Sequence, residues 1–144
     1  MKLIKALFVK DARRHISKIC INFLKGGIFL PCDVLGVYLV DFGNNRDGEF
    51  SGKHYALILT TLSKDKTVLA APITSKKSGK KYRGGFTIDC HKYQSNPSCA
   101  KAYIQINKIR EIAKTRILSK RYDLDSADTI VLEQSFKKVF TFLK

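Results

Sequence analysis

The chain has 144 residues, of which 44% are hydrophobic, and this size and composition are typical of one compact domain. Its 27 Lys and Arg residues against 12 Asp and Glu residues give a net charge of +15, far more than solubility requires. Such a surface attracts polyanions, so the composition favours an RNA, DNA or acidic protein partner without separating these three. A disulfide-dense scaffold is not indicated, because the cysteines form no CxxC pair or close-set framework. All four are predicted to be reduced thiols: Cys20, Cys32, Cys90 and Cys99.

The beginning of the chain predicts a basic amphipathic helix. Apolar residues recur at helical spacing over residues 2–25, Lys and Arg fall largely on the opposite face, and Gly26 is expected to end the helix. We expect this helix to pack on the main domain, with binding of nucleic acid or of a partner as the alternative. The chain is therefore interpreted as a single domain over residues 1–144, with a helical extension over 1–34 ahead of a core over 35–144.

Export and membrane insertion are not expected. Asp11 and Arg13 interrupt the first apolar run, and no small-residue cleavage site follows it. The apolar stretch 28–40 is too short to span a bilayer and contains Asp33. The sequence therefore predicts a cytoplasmic protein without a membrane partner.

From residue 35 onward, short runs rich in Val, Ile, Tyr and Leu alternate with polar and glycine-containing clusters, a pattern typical of strands and turns. Two longer polar segments, 43–53 and 75–84, are candidate functional loops, and 109–117 is ambiguous between strand and helix. The predicted strands cover residues 36–42, 55–60, 67–74, 85–89 and 101–106.

The tail from residue 125 to 144 is predicted to be helical. Its apolar residues have helical spacing, and Asp125 or Ser126 is available as the N-cap. The residues of this apolar spacing are Ile130, Val131, Phe136, Val139, Phe140 and Leu143. Together these elements predict an α+β fold, a small, mostly antiparallel, strongly bent sheet or open barrel flanked by helices.

The hairpin formed by the second and third strands predicts a site. If the strands pair about a turn near Lys64, opposite positions add to 128, and His54 faces Thr74 at the end away from the turn. Both long loops attach at this end and would form the walls of a groove. Imidazole exchanges protons near neutral pH, so His54 could serve as a base for a ribose 2′-hydroxyl or as an acid for the leaving oxygen. The alternative is that His54 merely opens a strand and Thr74 reflects strand propensity.

The second loop carries a dense positive charge around one aromatic residue. It could track the phosphates of a single strand and stack a base on Tyr82, or it could be a solvated flexible loop. Its cations are Lys76, Lys77, Lys80, Lys81 and Arg83. Cys90, His91 and Cys99 match no common zinc spacing, so neither a metal nor another cofactor is predicted.

Three motifs resemble the MazF/PemK family of toxin–antitoxin endoribonucleases over residues 36–117. The first is G-V-Y-L-V-D-F at residues 36–42, followed by G-E-F-S-G at 48–52. The second is A-P-I-T-S at 71–75, and the third is I-R-E-I-A-K-T-R-I at 109–117. The resemblance implies an open SH3-like barrel with a C-terminal helix, usually dimeric. It also implies cleavage of single-stranded RNA without metal and inhibition by an acidic antitoxin.

The chain departs from the family pattern at its proposed centre. The family's catalytic threonine corresponds to Thr74, but the position of its catalytic arginine is occupied by His54, the following proline by Tyr55, and the loop serine by Gly48. Neutral imidazole stabilises developing negative charge less well than arginine, so this charge would have to come from Arg83, Lys76 or Lys77.

The resulting hypothesis is an RNA endonuclease in which His54 transfers protons, Thr74 binds the scissile phosphate or ribose, and Glu49 orients His54 or stiffens its loop. Residues expected to bind RNA are Lys53, Ser75, Lys76, Lys77, Lys80, Lys81, Tyr82 and Arg83. One alternative is a catalytically inactive module that binds RNA or an antitoxin. Another is a toxin that binds a protein such as a topoisomerase, by resemblance to CcdB-type toxins.

Overall fold

Residues 31–62 and 64–143 are described by a computed structural model. The predicted N-terminal helix over residues 2–25 lies outside the described residues, as does nearly all of the 1–34 extension, so both stay predictions. Within the described part of the chain, no helix is long and apolar enough to cross a bilayer.

The described part of the chain contains seven strands and one α-helix. The strands are β1 (Gly36–Asp41), β2 (Lys53–Thr61), β3 (Thr67–Ser75), β4 (Gly85–Asp89), β5 (Lys101–Gln105), β6 (Arg110–Ala113) and β7 (Ile117–Asp123), and the helix is α1 (Ser126–Val139). The five predicted strands are confirmed, with ends that differ by at most two residues. The ambiguous segment 109–117 contains β6, a 3₁₀ turn and the first residue of β7.

All pairings are antiparallel, and β3 is the hub of the sheet. It pairs with β2 along one side, while on the other side it pairs with β6 near Thr67 and with β5 near Thr74. β4 extends the sheet beyond β5, and β1 joins β2 to β7. Because β6 and β7 lie at opposite edges yet are separated by only the three residues Lys114–Arg116, the sheet must curl so that these edges approach.

The alternation of side chains along the strands creates two cores. Ala56 and Ile58 of β2 face a cluster that includes Ile112 of β6 and Ile117 of β7, on the concave side of the curled sheet. Leu57 faces the other way, into a cluster covered by α1. Burying a Leu or Ile side chain contributes roughly 1.5–3 kcal/mol, so the two faces together stabilise the curl.

The C-terminal helix is confirmed, although the first two apolar residues whose spacing predicted it do not face the core. Ile130 and Val131 are 55% and 38% exposed, whereas Leu132 and Ser135 are buried. Leu132 faces the core instead. The two residues before it, Ile130 and Val131, are also apolar, so the sequence did not show which face of the helix packs. Further along the helix, partly buried side chains including Phe136 also pack against the core.

The beginning of α1 is tied to the segment after β4. Asp125 caps the helix by accepting a hydrogen bond from the Asp128 backbone N–H at 2.8 Å. The Tyr93 hydroxyl donates to Asp125 Oδ1 at 3.1 Å, and its ring stacks on Tyr122 with centroids 4.6 Å apart. Lys92 Nζ reaches Asp125 Oδ2 at 2.6 Å. These contacts fix the loop that precedes β5 against the helix.

Candidate active site

The hairpin register brings His54 and Thr74 to one end of the sheet, as the spacing predicted. Tyr55 pairs with Ile73 and Ala56 with Pro72, which are pairs whose numbers add to 128. The same register carried one step further places His54 opposite Thr74. Toward the turn the register shifts by one residue, so that Thr60 faces Leu69, without affecting the end where the long loops attach.

A groove of about 520 Å³ opens between the two long loops, and both His54 and Thr74 line it. Its lining is strongly asymmetric in charge, with four Lys or Arg side chains and a single carboxylate, that of Glu49. The full lining consists of Gly48, Glu49, Phe50, Ser51, His54, Thr74, Lys80, Lys81, Tyr82, Arg83, Tyr103, Gln105, Asn107 and Lys108.

The His54 ring is positioned by an aromatic neighbour from the first loop. Phe50 meets it edge to face, with centroids 4.6 Å apart and an angle of 71° between the planes. Phe50 in turn packs on the buried ring of Phe42, with centroids 5.6 Å apart. The His54 ring therefore packs on Phe50, which packs on the buried Phe42. Glu49 is exposed and lines the same groove.

Cations from the third sequence motif and its flank hold the first loop by its backbone carbonyls. Lys108 Nζ donates to the Gly48 carbonyl at 3.1 Å, and Arg110 donates to the Phe50 carbonyl at 3.4 Å. At the base of the loop, Arg116 donates to the Phe42 carbonyl at 2.8 Å.

The base of this loop also depends on one glycine. Gly43 has φ +72, and a Cβ there would lie 2.9 Å from the Arg116 guanidinium. A side chain at this position would be strained in backbone conformation and would meet the arginine that holds the loop.

Tyr82 folds the second loop rather than leaving it as a free polar segment. Its hydroxyl donates to the Ser75 carbonyl at 3.1 Å and accepts from the Lys77 backbone N–H at 2.9 Å. Its ring lies 5.0 Å from that of Tyr103, and Lys80 Nζ sits 5.6 Å from the ring centroid. Two aromatic rings therefore form part of the groove beside the cations.

The end of the second loop turns sharply at Gly84. This residue has φ +76, and a Cβ there would lie 2.4 Å from the Asn107 side chain. The Gly84 carbonyl accepts a hydrogen bond from the Asn107 backbone N–H at 2.8 Å. This close approach connects the second loop to the turn after β5, which also lines the groove.

Four predicted RNA-binding residues do not line this groove. Lys53 and Ser75 line a neighbouring cavity of about 280 Å³, which His54 and Thr74 also line. Lys76 Nζ is hydrogen-bonded to Thr87 Oγ1 at 2.9 Å, and Lys77 is exposed outside the groove lining. Of the cations predicted in the second loop, Lys80, Lys81 and Arg83 are those that the fold brings beside His54 and Thr74.

Five polar lining residues were not predicted as site residues: Ser51 of the first loop, and four that come from β5 or the turn that follows it. Tyr103 is the pairing partner of Thr74, and Gln105 lies two residues further along the same strand. Burial raises the pKa of Tyr103, so its phenol stays neutral at physiological pH. Asn107 and Lys108 follow in the turn. The period-2 alternation of β5 would have revealed Tyr103 and Gln105 had its pairing with β3 been known.

No group of three or more His, Cys, Asp or Glu side chains that could hold a metal ion occurs within residues 31–62 and 64–143. Cys90 and Cys99 do come together, with their Sγ atoms 3.8 Å apart, but His91 is exposed and its backbone N–H bonds to Asp89.

The curled antiparallel sheet and the C-terminal helix are the elements that the resemblance to the MazF/PemK family implied. The model of the PemK-like, MazF-like toxin family of type II toxin–antitoxin systems matches residues 34–140, and the chain belongs to this family.

Two solved structures have the same fold. The Mycobacterium tuberculosis toxin MazF-mt6 is 15% identical, with a TM-score of 0.55, over 74% of this chain and 96% of that chain. An endoribonuclease in complex with its cognate antitoxin, from mycobacterial species, is 15% identical with a TM-score of 0.55, over 78% of this chain and 96% of that chain. A search of curated proteins gave no match.

Proposed function

We propose that this toxin is an endoribonuclease that cuts single-stranded RNA without a metal ion. The observation that carries the proposal is the shared groove, in which a histidine and a threonine lie on adjacent strands among four cationic side chains. A two-metal nuclease site needs several converging carboxylates, and Glu49 is the one carboxylate of this lining. The residues present fit acid–base and electrostatic catalysis.

His54 acts in this mechanism on the ribose 2′-hydroxyl or on the leaving oxygen. As a base it removes the 2′ proton while the 2′ oxygen attacks the adjacent phosphorus, and the bond from phosphorus to the 5′ oxygen breaks. As an acid it protonates that departing oxygen. Either role yields a 2′,3′-cyclic phosphate and a 5′-hydroxyl end, and it requires RNA because DNA lacks the nucleophile.

Thr74 and the loop cations bind the phosphate group. The Thr74 hydroxyl donates a hydrogen bond to a phosphate oxygen, and Lys80, Lys81 and Arg83 balance the charge that develops there. These cations supply the positive charge that the arginine of the family pattern would carry, because His54 occupies its position. Arg83 adds a planar donor set that fits two phosphate oxygens at once.

The two tyrosines of the groove favour an unpaired strand. A base can stack on the exposed side of Tyr82 only when it is free of a duplex, and such stacking contributes roughly 1–3 kcal/mol per base. Glu49 retains the predicted role of stiffening the first loop or orienting His54.

The inhibitor, the oligomeric state and the location are proposed from the family and the net charge. We propose an acidic antitoxin as the inhibitor, a homodimer as the working form and the cytoplasm as the location. A net charge of +15 would attract an acidic peptide as well as RNA. The related mycobacterial endoribonuclease whose structure was solved with its antitoxin supports the first of these proposals.

The test uses a labelled single-stranded RNA in EDTA, with the product ends identified by mass spectrometry. We expect 5′-hydroxyl ends from the unaltered protein and a loss of about 100-fold or more in rate for His54→Ala. His91→Ala is the matched control, because this histidine is exposed and lies outside the groove lining. Circular dichroism establishes that each variant is folded, and unchanged cleavage by folded His54→Ala would overturn the assignment.

An inactive binder would give a different result in the same experiment. The replacement of the family arginine by His54 is the observation that favours this second candidate. Salt-sensitive RNA binding without new 5′-hydroxyl ends would establish it in place of the nuclease.

A further inference from the structure

Two thiols outside the groove lie within reach of each other. Cys90 begins the 3₁₀ turn after β4, and Cys99 lies two residues before β5. Their Sγ atoms are 3.8 Å apart, and the sulfur–sulfur bond length of a disulfide is about 2.05 Å, so a shift of under 2 Å would join them. We propose that Cys90 and Cys99 are a reversible oxidation site that forms a disulfide on exposure to a peroxide.

Backbone pairing already holds the two segments that carry Cys90 and Cys99 close together. Asp89 pairs with Lys101 at the ends of β4 and β5, and the Cys90 backbone N–H donates to the Ala100 carbonyl at 2.9 Å. Cys90 therefore extends an existing antiparallel ladder, and Cys99 lies next to its backbone partner Ala100. Since the chain between them is short and closed by the ladder, oxidation needs only local movement on the Cys99 side.

The intervening loop is anchored on the helix as well. Tyr93 stacks on Tyr122 and its hydroxyl bonds to Asp125, so the loop cannot swing away from the sheet without breaking these contacts. This anchoring keeps the two sulfurs together in the reduced state, and it raises the effective concentration of one thiol at the other.

Access and reactivity assign different roles to the two thiols. Both line the cavity of about 280 Å³, which is large enough to admit hydrogen peroxide. Cys90 is only 3% exposed, and burial together with the hydrogen bond to Cys99 raises the pKa of its thiol to about 12. Cys99 is half-buried and meets the oxidant first.

The chemistry balances with peroxide as the oxidant. The Cys99 thiol loses its proton, the thiolate attacks one peroxide oxygen, and the O–O bond breaks. The leaving hydroxide takes up the proton, so that a sulfenic acid and water result. The Cys90 sulfur then attacks the Cys99 sulfur and displaces a second water. Two thiols and one peroxide thus give one disulfide and two waters, and a dithiol reductant reverses the step.

Trypsin separates the two cysteines and makes the bond directly observable. Cleavage after Arg83, Lys92 and Lys101 places Cys90 in peptide 84–92 and Cys99 in peptide 93–101. After brief treatment of the full chain with hydrogen peroxide and blocking of remaining thiols, we expect these two peptides to be linked and to lose two hydrogens. Dithiothreitol should release them. Because the measurement is of a bond, its outcome is independent of RNA cleavage.

Three comparisons sharpen the result. Linking should be at least about tenfold faster in the folded protein than in urea, because folding brings the thiols together. Cys99→Ser should give no linked product, whereas Cys32→Ser should link as the unaltered chain does. The oxidised protein should melt about 5–10 °C higher than the reduced one. Absence of the linked peptides from the unaltered chain, or equal rates in urea, would overturn the proposal.

Discussion

Phe50 supports His54 through an edge-to-face contact, with the ring centroids 4.6 Å apart. The contact joins the first loop to the second strand at the point where the proposed chemistry occurs. It also gives the first loop of this chain a physical task, since the loop places an apolar ring beside the side chain expected to transfer protons.

Phe50→Leu should lower kcat for RNA cleavage about tenfold and leave KM within about twofold. The reason is that Leu fills much of the volume but loses the flat ring edge that orients the imidazole, and misorientation of a catalytic group acts mainly on the transition state. Phe50→Tyr retains the ring and should restore most of the rate. Steady-state kinetics on one RNA substrate checks both variants, and an equal loss with Tyr and Leu would contradict a positioning role.

The sequence predicted the two groove-floor residues because their meeting depends on one local hairpin. Antiparallel strands around a turn fix which residues are opposite, so His54 and Thr74 could be placed together without knowing the rest of the sheet. Tyr103 and Lys108 could not be placed this way. They line the groove because β5 pairs with β3, two strands that are not consecutive in the sequence. Such a pairing cannot be predicted from local residue spacing.

The strand β7 and the packing face of α1 were not predicted, for different reasons. β7 carries exposed Leu118 and a polar run after it, so it lacks the apolar alternation of a strand and is fixed by pairing with β1. The orientation of α1 was misjudged because Ile130 and Val131 are apolar yet point outward. Local spacing locates a helix more reliably than it identifies the face that packs.

Arg116→Met should destabilise the fold by about 1–2 kcal/mol. The guanidinium donates to the Phe42 carbonyl at 2.8 Å, and a methionine of similar length leaves that partly buried carbonyl without this donor. Urea denaturation followed by circular dichroism measures the change in the free energy of unfolding. Arg46→Met removes the same charge from an exposed position on the first loop and should change stability by less than about 0.5 kcal/mol. Equal effects of the two substitutions would show that net charge, not the carbonyl contact, is responsible.

Asp125 gives α1 a pH-dependent anchor. The hydrogen bond from Lys92, aided by that from the Asp128 backbone N–H, lowers the pKa of Asp125. A lowered pKa in the folded state means that the stabilisation is present above the ordinary carboxyl pKa of about 3.9 and is lost as pH falls through the lowered value.

Asp125→Ala should therefore lower Tm by several degrees at neutral pH, because it removes both the cap and the ion pair. Asp125→Asn keeps a capping oxygen and should cost less. The difference in Tm between the unaltered protein and Asp125→Asn should stay constant above about pH 5 and shrink below about pH 4. Thermal melts across this range check the prediction, and a difference that grows on acidification has the wrong sign.

The affinity for RNA should depend on salt through the cations that line the groove. Each contact between a cation and a phosphate of a single strand contributes a slope of about −0.7 to a plot of log K against log salt concentration. Replacing Lys80, Lys81 and Arg83 by Ala together should therefore make the slope shallower by about 2, in addition to weakening binding. The matched control removes three exposed cations outside the groove lining, Lys64, Lys66 and Lys137. Fluorescence anisotropy with one labelled single-stranded RNA, measured from about 50 to 200 mM salt, gives both slopes. If the control triple reduces the slope as much as the groove triple does, RNA is held by the overall charge of the protein, and the groove beside His54 is not its binding site.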